Sequence, residues 1–504
     1  MSHDLAGTSG TLSHPAGLSR ELGLMGLAAT GICSMLGAAI NVIPFMIQRN
    51  VPGIGPYVLP AYLFAALPAI LAAFSYAMLA SAMPRAGGSY IYASRALNPY
   101  LGFVASFSQW FGLSIAIGVV SYVLVPFLRD IAVALGWQTC AEVMELGAIR
   151  LFLPLAFLWT FVVINLRGAR LYQRTLVPLM FLMFALGSVV IITGFWFNQK
   201  DFAAAILEQT GQILSGSEDA SFNFRTFLAA SATLFASFIG FDSIAQAGGE
   251  ARNPRRTLPL AIAIAIVSVG TFYFLFTAAV YHTVPWNFIA EEAASKDLTA
   301  PGLLGHVLPT GLTVLIVAGA AVALVNDLPA MLLAVSRLMF AWAEDGVFPS
   351  QAAKINPRTR TPHVAIILCG IMASAGILGS HLAGDFFLGV DILVTSMIVN
   401  FLLICFSVLY LPRNNPKLAK RVGAVSSRKM QIVLASLGAG ILGCFLGIHI
   451  WKDLSAPVDA WYFHSTPVWV AVMLLATAVY LRELRRLRRR GVDIKAIFST
   501  LPPE

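Results

Sequence analysis

Three carboxylates fall inside stretches of this chain that are otherwise apolar. Asp242 follows Gly240 in LFASFIGFDSIAQAGGEARNPRRTLP (residues 234–259), Asp327 stands between Asn326 and the nearby Pro329, and Asp391 lies in a third such stretch. An ionisable group at bilayer depth is costly, so it faces a protein interior or a water-filled cavity and marks a route for a substrate or an ion. Such an acid can hold a proton or face a cation. Gly240 lets the backbone leave the helix beside Asp242, which is tolerated at membrane depth only where the freed N–H and C=O groups line a cavity. The combination points to a transporter.

The elements that position these acids follow from composition. The chain has 504 residues, of which 58% are hydrophobic and only 11% charged, against roughly 25% charged in a soluble domain. About 20 apolar residues cross a hydrocarbon core of roughly 30 Å. Twelve such stretches are expected, at 23–46, 55–82, 99–126, 151–166, 175–198, 226–247, 258–282, 310–343, 363–380, 385–410, 431–451 and 466–483. Charge tests the count, because Lys and Arg collect on cytoplasmic loops. With the N-terminus inside, all but seven of the 33 Lys and Arg fall on inward segments, the seven being Arg49, Arg129, Arg150, Lys200, Arg225, Lys296 and Lys452. A miscounted span would invert every later loop, so this parity supports a multi-pass protein of the cytoplasmic (plasma) membrane with both termini in the cytoplasm.

Other signals exclude function classes. The five cysteines are odd in number, four of them lie in expected spans, and no CxxC pair occurs, so neither a disulfide framework nor a metal site is indicated. The basic run RELRRLRRRG at 482–491 follows a final span, where it reads as a topology signal or an anionic-lipid contact rather than a nucleic-acid site. The first 20 residues read as a disordered tail, not a cleaved signal. Scattered histidines and the lack of HExxH or GxSxG argue against an enzyme, and no cofactor motif is present. No series of polar rings suggests a channel.

Spans 1 and 6 each carry small residues at their centre, GICSMLGAA at 31–39 and ASFIG at 236–240. Five spans separate them, so they run in opposite directions, and discontinuous helices at matching places in two inverted halves point to a midplane binding site. Small residues also permit plain close packing.

Five motifs in order then resemble those of the amino acid/polyamine/organocation superfamily of secondary transporters: GICSMLGAAINVIP at 31–44, FSYAMLASAMPRAGGSYIYASRALNPYLGFVASF at 74–107, INLRGAR at 164–170, FIGFDSIAQAGGEARNPRRTLP at 238–259 and AVSRLMFAWAEDGVFP at 334–349. The resemblance covers about residues 20–410. It implies an all-α membrane protein with a five-plus-five inverted-repeat (LeuT-like) core, discontinuous helices 1 and 6, and two C-terminal helices. The corresponding division is a tail at 1–20, a core at 21–410 with repeats 21–198 and 226–410, accessory spans at 411–483 and a basic cytoplasmic tail at 484–504.

The resemblance further implies a substrate carboxylate on backbone amides from about Leu36 to Ile40 (Gly37, Ala38, Ala39, Ile40) and an amine on carbonyls around Ala236, Ser237 and Ile239. This suits the positive and negative ends of interrupted helices. Phe238 and Phe241 are candidate lids, and Gln109 and Trp110 candidate contributions from span 3. The loop at 84–102 reads as a rigid cytoplasmic turn, with Arg85 and Arg95 as orientation charges, and Glu250 as an inner-rim acid that would pair with a nearby arginine.

The chain departs from the family where Gly-Ala-Gly-Ile-Phe is usual: here stand Gly37, Ala38, Ala39, Ile40 and Asn41, so a methyl group occupies a place where a carboxylate would approach. Met183 stands where some proton-coupled members have a lysine, and span 8 offers Ser336 as its hydroxyl. Proton coupling through Asp242 or Asp327 is therefore preferred over sodium, with Asp391 about 9 Å inside its span as an outer gate. The expected function is import of amino acids or related small amines by alternating access. The alternative is uptake or exchange of cationic amines such as a polyamine or ethanolamine.

Overall fold

The computed structural model describes residues 18–214, 221–383, 387–458 and 460–502. Among them, twelve helices are long and apolar enough to cross a bilayer: Leu24–Asn50, Gly55–Ala82, Pro99–Val133, Gly147–Leu166, Ala169–Trp196, Phe224–Gln246, Pro254–Thr283, Thr310–Glu344, His363–Leu382, Leu388–Asn414, Arg428–Ser455 and Ser465–Arg489. They are numbered spans 1 to 12. Among the described residues no strand occurs, only the isolated bridges Leu22–Ala251 and Ala86–Ala247. Most of the expected disordered tail, and the start of span 10 expected at 385, lie outside the described residues.

Each expected span has its helix, with ends shifted. Span 3 was expected to stop at 126 but continues through Pro126 to Val133. Proline removes one hydrogen bond, and neighbouring helices stabilise the rest in a membrane. Span 8 likewise runs unbroken through Pro329, whose carbonyl accepts a hydrogen bond from Asn165 Nδ2 at 3.3 Å.

Burial sorts the helices into an inner and an outer set. Spans 1 and 6 are almost wholly buried, while spans 4, 5, 11 and 12 expose apolar faces, such as Trp196 and Leu474, that suit contact with lipid tails. Spans 3 and 8 pack along each other, and spans 9 and 10 pack on span 3.

The segment at 84–102 is more than a turn. Gly87, in the left-handed region at φ 71°, opens a helix Gly88–Ala96 that is buried along its whole length, and Asn98 then caps span 3 by accepting from Leu101 N–H at 2.9 Å. Both described chain ends gather near it: Leu22 N–H donates to the Glu250 carbonyl at 2.9 Å and Arg85 Nε donates to the Pro502 carbonyl at 3.0 Å. This end of the bundle is called the terminal end below.

Candidate functional site

Span 1 is two helices, Leu24–Met35 and Ala38–Asn50, separated where Leu36 (φ −86°, ψ 78°) and Gly37 (φ −130°, ψ −128°) leave helical geometry. Met35 has a carbonyl freed by this break, and it accepts from the Tyr273 hydroxyl. The first N–H groups of Ala38–Asn50 have no intrahelical partner and carry the positive end of the helix dipole.

Span 6 breaks at the same level. Helix Phe224–Leu234 tightens into a 3₁₀ turn at Phe235–Phe238, Ile239 is extended, Gly240 takes φ 134°, and a short helix follows at Ser243–Gln246. Only glycine suits that φ. A side chain at Gly240 would also collide with the Ser34 carbonyl, so the two breaks touch.

Beside them lies a cavity of about 70 Å³. One water needs about 10–15 Å³ by this measure, so there is room for a small solute. Ser34, Met35, Ala39, Val42 and Ile43 of span 1 line it, with Ala236 and Ile239 of span 6. Span 3 adds Ala116, Val119, Val120 and Val123, span 10 adds Gly389, Val390 and Leu393, and span 8 adds Asp327 and Met331. Among the described residues the walls are apolar apart from Ser34 and Asp327. Asp327 is 4% exposed, its Oδ1 has no hydrogen-bond partner among the described residues, and its carboxylate abuts Gly37. A buried acid without a cation is under strong pressure to take a proton or a positively charged guest.

Asp242 is placed differently. It is fully buried, its Oδ1 accepts from Gly240 N–H at 3.1 Å and its Oδ2 from Gln109 Nε2. Gln246 Nε2 donates to Gln109 Oε1 at 3.3 Å and to Ser89 Oγ at 2.8 Å; Ser89 meets the Tyr76 hydroxyl at 2.6 Å, which accepts from Asn400 Nδ2 at 2.8 Å. Five elements are thus tied together between the breaks and the terminal end.

Further toward that end, two buried ion pairs close the bundle. Glu250 Oε1 meets Arg337 at 2.5 Å, each side chain 1% exposed, and Arg95 makes a two-pronged contact with Asp345 at 2.5 and 2.9 Å. Glu250 has the nearby arginine expected of it, Arg337 of span 8, whereas Arg95 is more than an orientation charge, and water is excluded from each pair. Helix Ile494–Ser499 sits over this layer, with Phe498 under the Arg95 guanidinium at 5.1 Å and the Thr500 carbonyl accepting from Arg95 Nε at 3.2 Å.

The expected site residues divide. Ala39, Ala236, Ile239 and Asp327 line the cavity, and Gly37 abuts it through Asp327. Ala38 begins the second half of span 1. Ile40 is on the other face, lining a separate small space with Leu36 and Met183. Ser237 is buried outside the cavity lining. Phe238 packs on Tyr62 and Tyr273, Phe241 on Tyr76 and Phe401, and Trp110 on Phe107 and Trp342 with its Nε1 on Cys369 Sγ at 3.3 Å; none lines the cavity. Asp391 is placed against span 11, where its main-chain carbonyl accepts from His449 Nε2 at 3.2 Å, while its neighbours Val390 and Leu393 line the cavity. Residues 116, 119, 120 and 123 were missed, although their spacing marks one face of a helix.

Two lipid-length helices interrupted at one level, meeting beside a small cavity with a buried carboxylate, define a membrane carrier rather than an enzyme. The chain belongs to the amino acid permease family, whose model matches residues 22–475. It is similar to a methylthioribose transporter of Bacillus subtilis, 26% identical over 474 residues that cover 92% of this chain and 94% of that protein. A branched-chain amino acid permease, BcaP, of the same organism is 24% identical over 82% of this chain and 85% of its own length. Cationic amino acid transporter 4 of Mus musculus is 27% identical over 70% of this chain, but the match spans only 54% of that longer relative.

Proposed function

We propose that the protein imports an amino acid across the cytoplasmic membrane by alternating access coupled to protons, with both termini in the cytoplasm. The observation that carries this reading is the Asp327 carboxylate, unpartnered at Oδ1 and set against the span 1 break in an apolar cavity. The substrate ammonium sits at Asp327, its carboxylate meets the N–H groups opening the second half of span 1, and its side chain lies along Val119, Val120 and Met331. Asp242, outside the cavity lining and held by Gln109 and Gly240 N–H, is the proton-holding acid. Release toward the terminal end requires the Glu250–Arg337 and Arg95–Asp345 layer to part. The inverted-repeat relation of spans 1–5 and 6–10 accounts for the matching breaks.

The family and two of the three relatives named favour an amino acid over a bare amine. A cationic amino acid is the second reading, in which Asp327 takes the side-chain cation and the carbonyls around Ala236 hold the ammonium. Uptake of labelled leucine and labelled lysine into proteoliposomes, under an imposed pH gradient, tests both. Accumulation of leucine driven by an acidic exterior supports the first, preferential lysine uptake supports the second, and gradient-independent equilibration of either removes proton coupling.

A further inference from the structure

At the terminal end, away from the cavity, Arg255, Arg256 and Arg421 line one concavity of about 570 Å³ together with Arg20 and Arg85, and among the described residues no acidic side chain lines it. Among the described residues no ion pair or hydrogen bond engages the Arg255, Arg256 or Arg421 side chains. Like charges that line one concavity repel one another, so Arg255, Arg256 and Arg421 favour an anion between them. Arg255 and Arg256 also stand in the first turn of span 7, where the helix dipole adds positive potential.

The same Arg255, Arg256 and Arg421 border a second concavity of about 710 Å³, between spans 2 and 7. Its walls include Ile70, Phe74, Leu260 and Val267, all exposed. From Ser81 to Ile70 the groove follows span 2 for about 16 Å, and from Arg255 to Val267 it follows span 7 for about 18 Å, at 1.5 Å per residue. Half of a hydrocarbon core of roughly 30 Å is about the same depth. A charged cup at the membrane border, continuous with an apolar furrow one leaflet deep, has the shape and polarity of one kind of ligand.

We propose that the arginine cup and the span 2–span 7 furrow form a binding site for an anionic phospholipid of the leaflet at the terminal end, its phosphate among Arg255, Arg256 and Arg421 and an acyl chain along Phe74, Leu260 and Val267. Each arginine near an anionic headgroup contributes enough to shift affinity roughly fivefold.

The test uses the full chain purified in neutral detergent and reads lipid retention, independent of substrate. Native mass spectrometry with equal amounts of diacyl phosphatidylglycerol and phosphatidylcholine should show preferential retention of the former. Arg255→Gln/Arg256→Gln/Arg421→Gln should remove most of that preference, and Leu260→Trp/Val267→Trp, which fills the furrow and keeps the charges, should reduce it too. Arg488→Gln/Arg489→Gln/Arg490→Gln, in the exposed basic run, should leave it unchanged. Equal retention of the two lipids, an effect confined to the 488–490 variant, or equal displacement of phosphatidylglycerol by glycerol phosphate and by an excess of the same lipid would overturn the proposal.

Discussion

Gly37 and the Asp327 carboxylate are in direct contact: a methyl group on residue 37 would occupy the space that the carboxylate fills. The glycine at this break therefore serves close approach, and the acid it admits is, among the described residues, the one polar side chain besides Ser34 in the cavity wall.

Gly37→Ala should force the acid or the break aside. Overpacking of this kind costs about 1–3 kcal/mol. The expected outcome is a lower apparent melting temperature with transport lost, measured by thermal shift and proteoliposome uptake. A fully active, equally stable Gly37→Ala variant would show that the contact is dispensable.

Removing one member of a buried ion pair leaves the other uncompensated, at a cost of about 3–5 kcal/mol. Glu250→Gln should therefore destabilise strongly, and the double variant Glu250→Gln/Arg337→Met should recover part of the loss. A double-mutant cycle on thermal stability checks this; additive losses would mean that the two side chains act independently.

The segment Ile494–Pro502 covers the Arg95–Asp345 layer, with Phe498 buried against it. Phe498→Ala should loosen that layer. Introduced as Ser89→Cys, a thiol behind it should be labelled faster by a water-soluble maleimide added from the terminal side. An unchanged labelling rate would assign the segment no part in the closure.

Much of this arrangement was legible before coordinates, for reasons tied to particular residues. Span count follows from apolar length and from Lys and Arg parity, both local properties of the chain. The interruptions follow from glycine: Gly240 takes a φ that other residues avoid, and Gly37 stands where a side chain cannot. The direction of each acid was not legible. Span 6 and the second half of span 8 are buried on nearly all sides, so hydrophobic periodicity does not say that Asp327 faces the cavity while Asp242 faces Gln109. Pairings between distant residues, such as Glu250 with Arg337 and Arg95 with Asp345, leave no trace in spacing. The aromatic candidates lie off the cavity lining because a buried phenylalanine beside a break has many rings to pack on: Phe238 packs on Tyr62 and Phe241 on Phe401.

Asp242→Asn keeps the size of the side chain and removes the ionisable group, giving up one of its two acceptor contacts, with Gly240 N–H or with Gln109 Nε2. If Asp242 carries the coupling proton, the variant should still exchange labelled substrate across a proteoliposome membrane but no longer accumulate it against a gradient. Accumulation equal to that of the unmodified protein would assign coupling elsewhere.

Asp327 is assigned the positive charge of the substrate, and direct binding tests that role without transport. Titration calorimetry of the purified protein with the amino acid that proteoliposomes take up should give saturable binding. Asp327→Asn should weaken it by about 2–5 kcal/mol, thirtyfold or more in affinity, with the fold retained by thermal shift. Unchanged affinity in a folded Asp327→Asn variant would contradict the account.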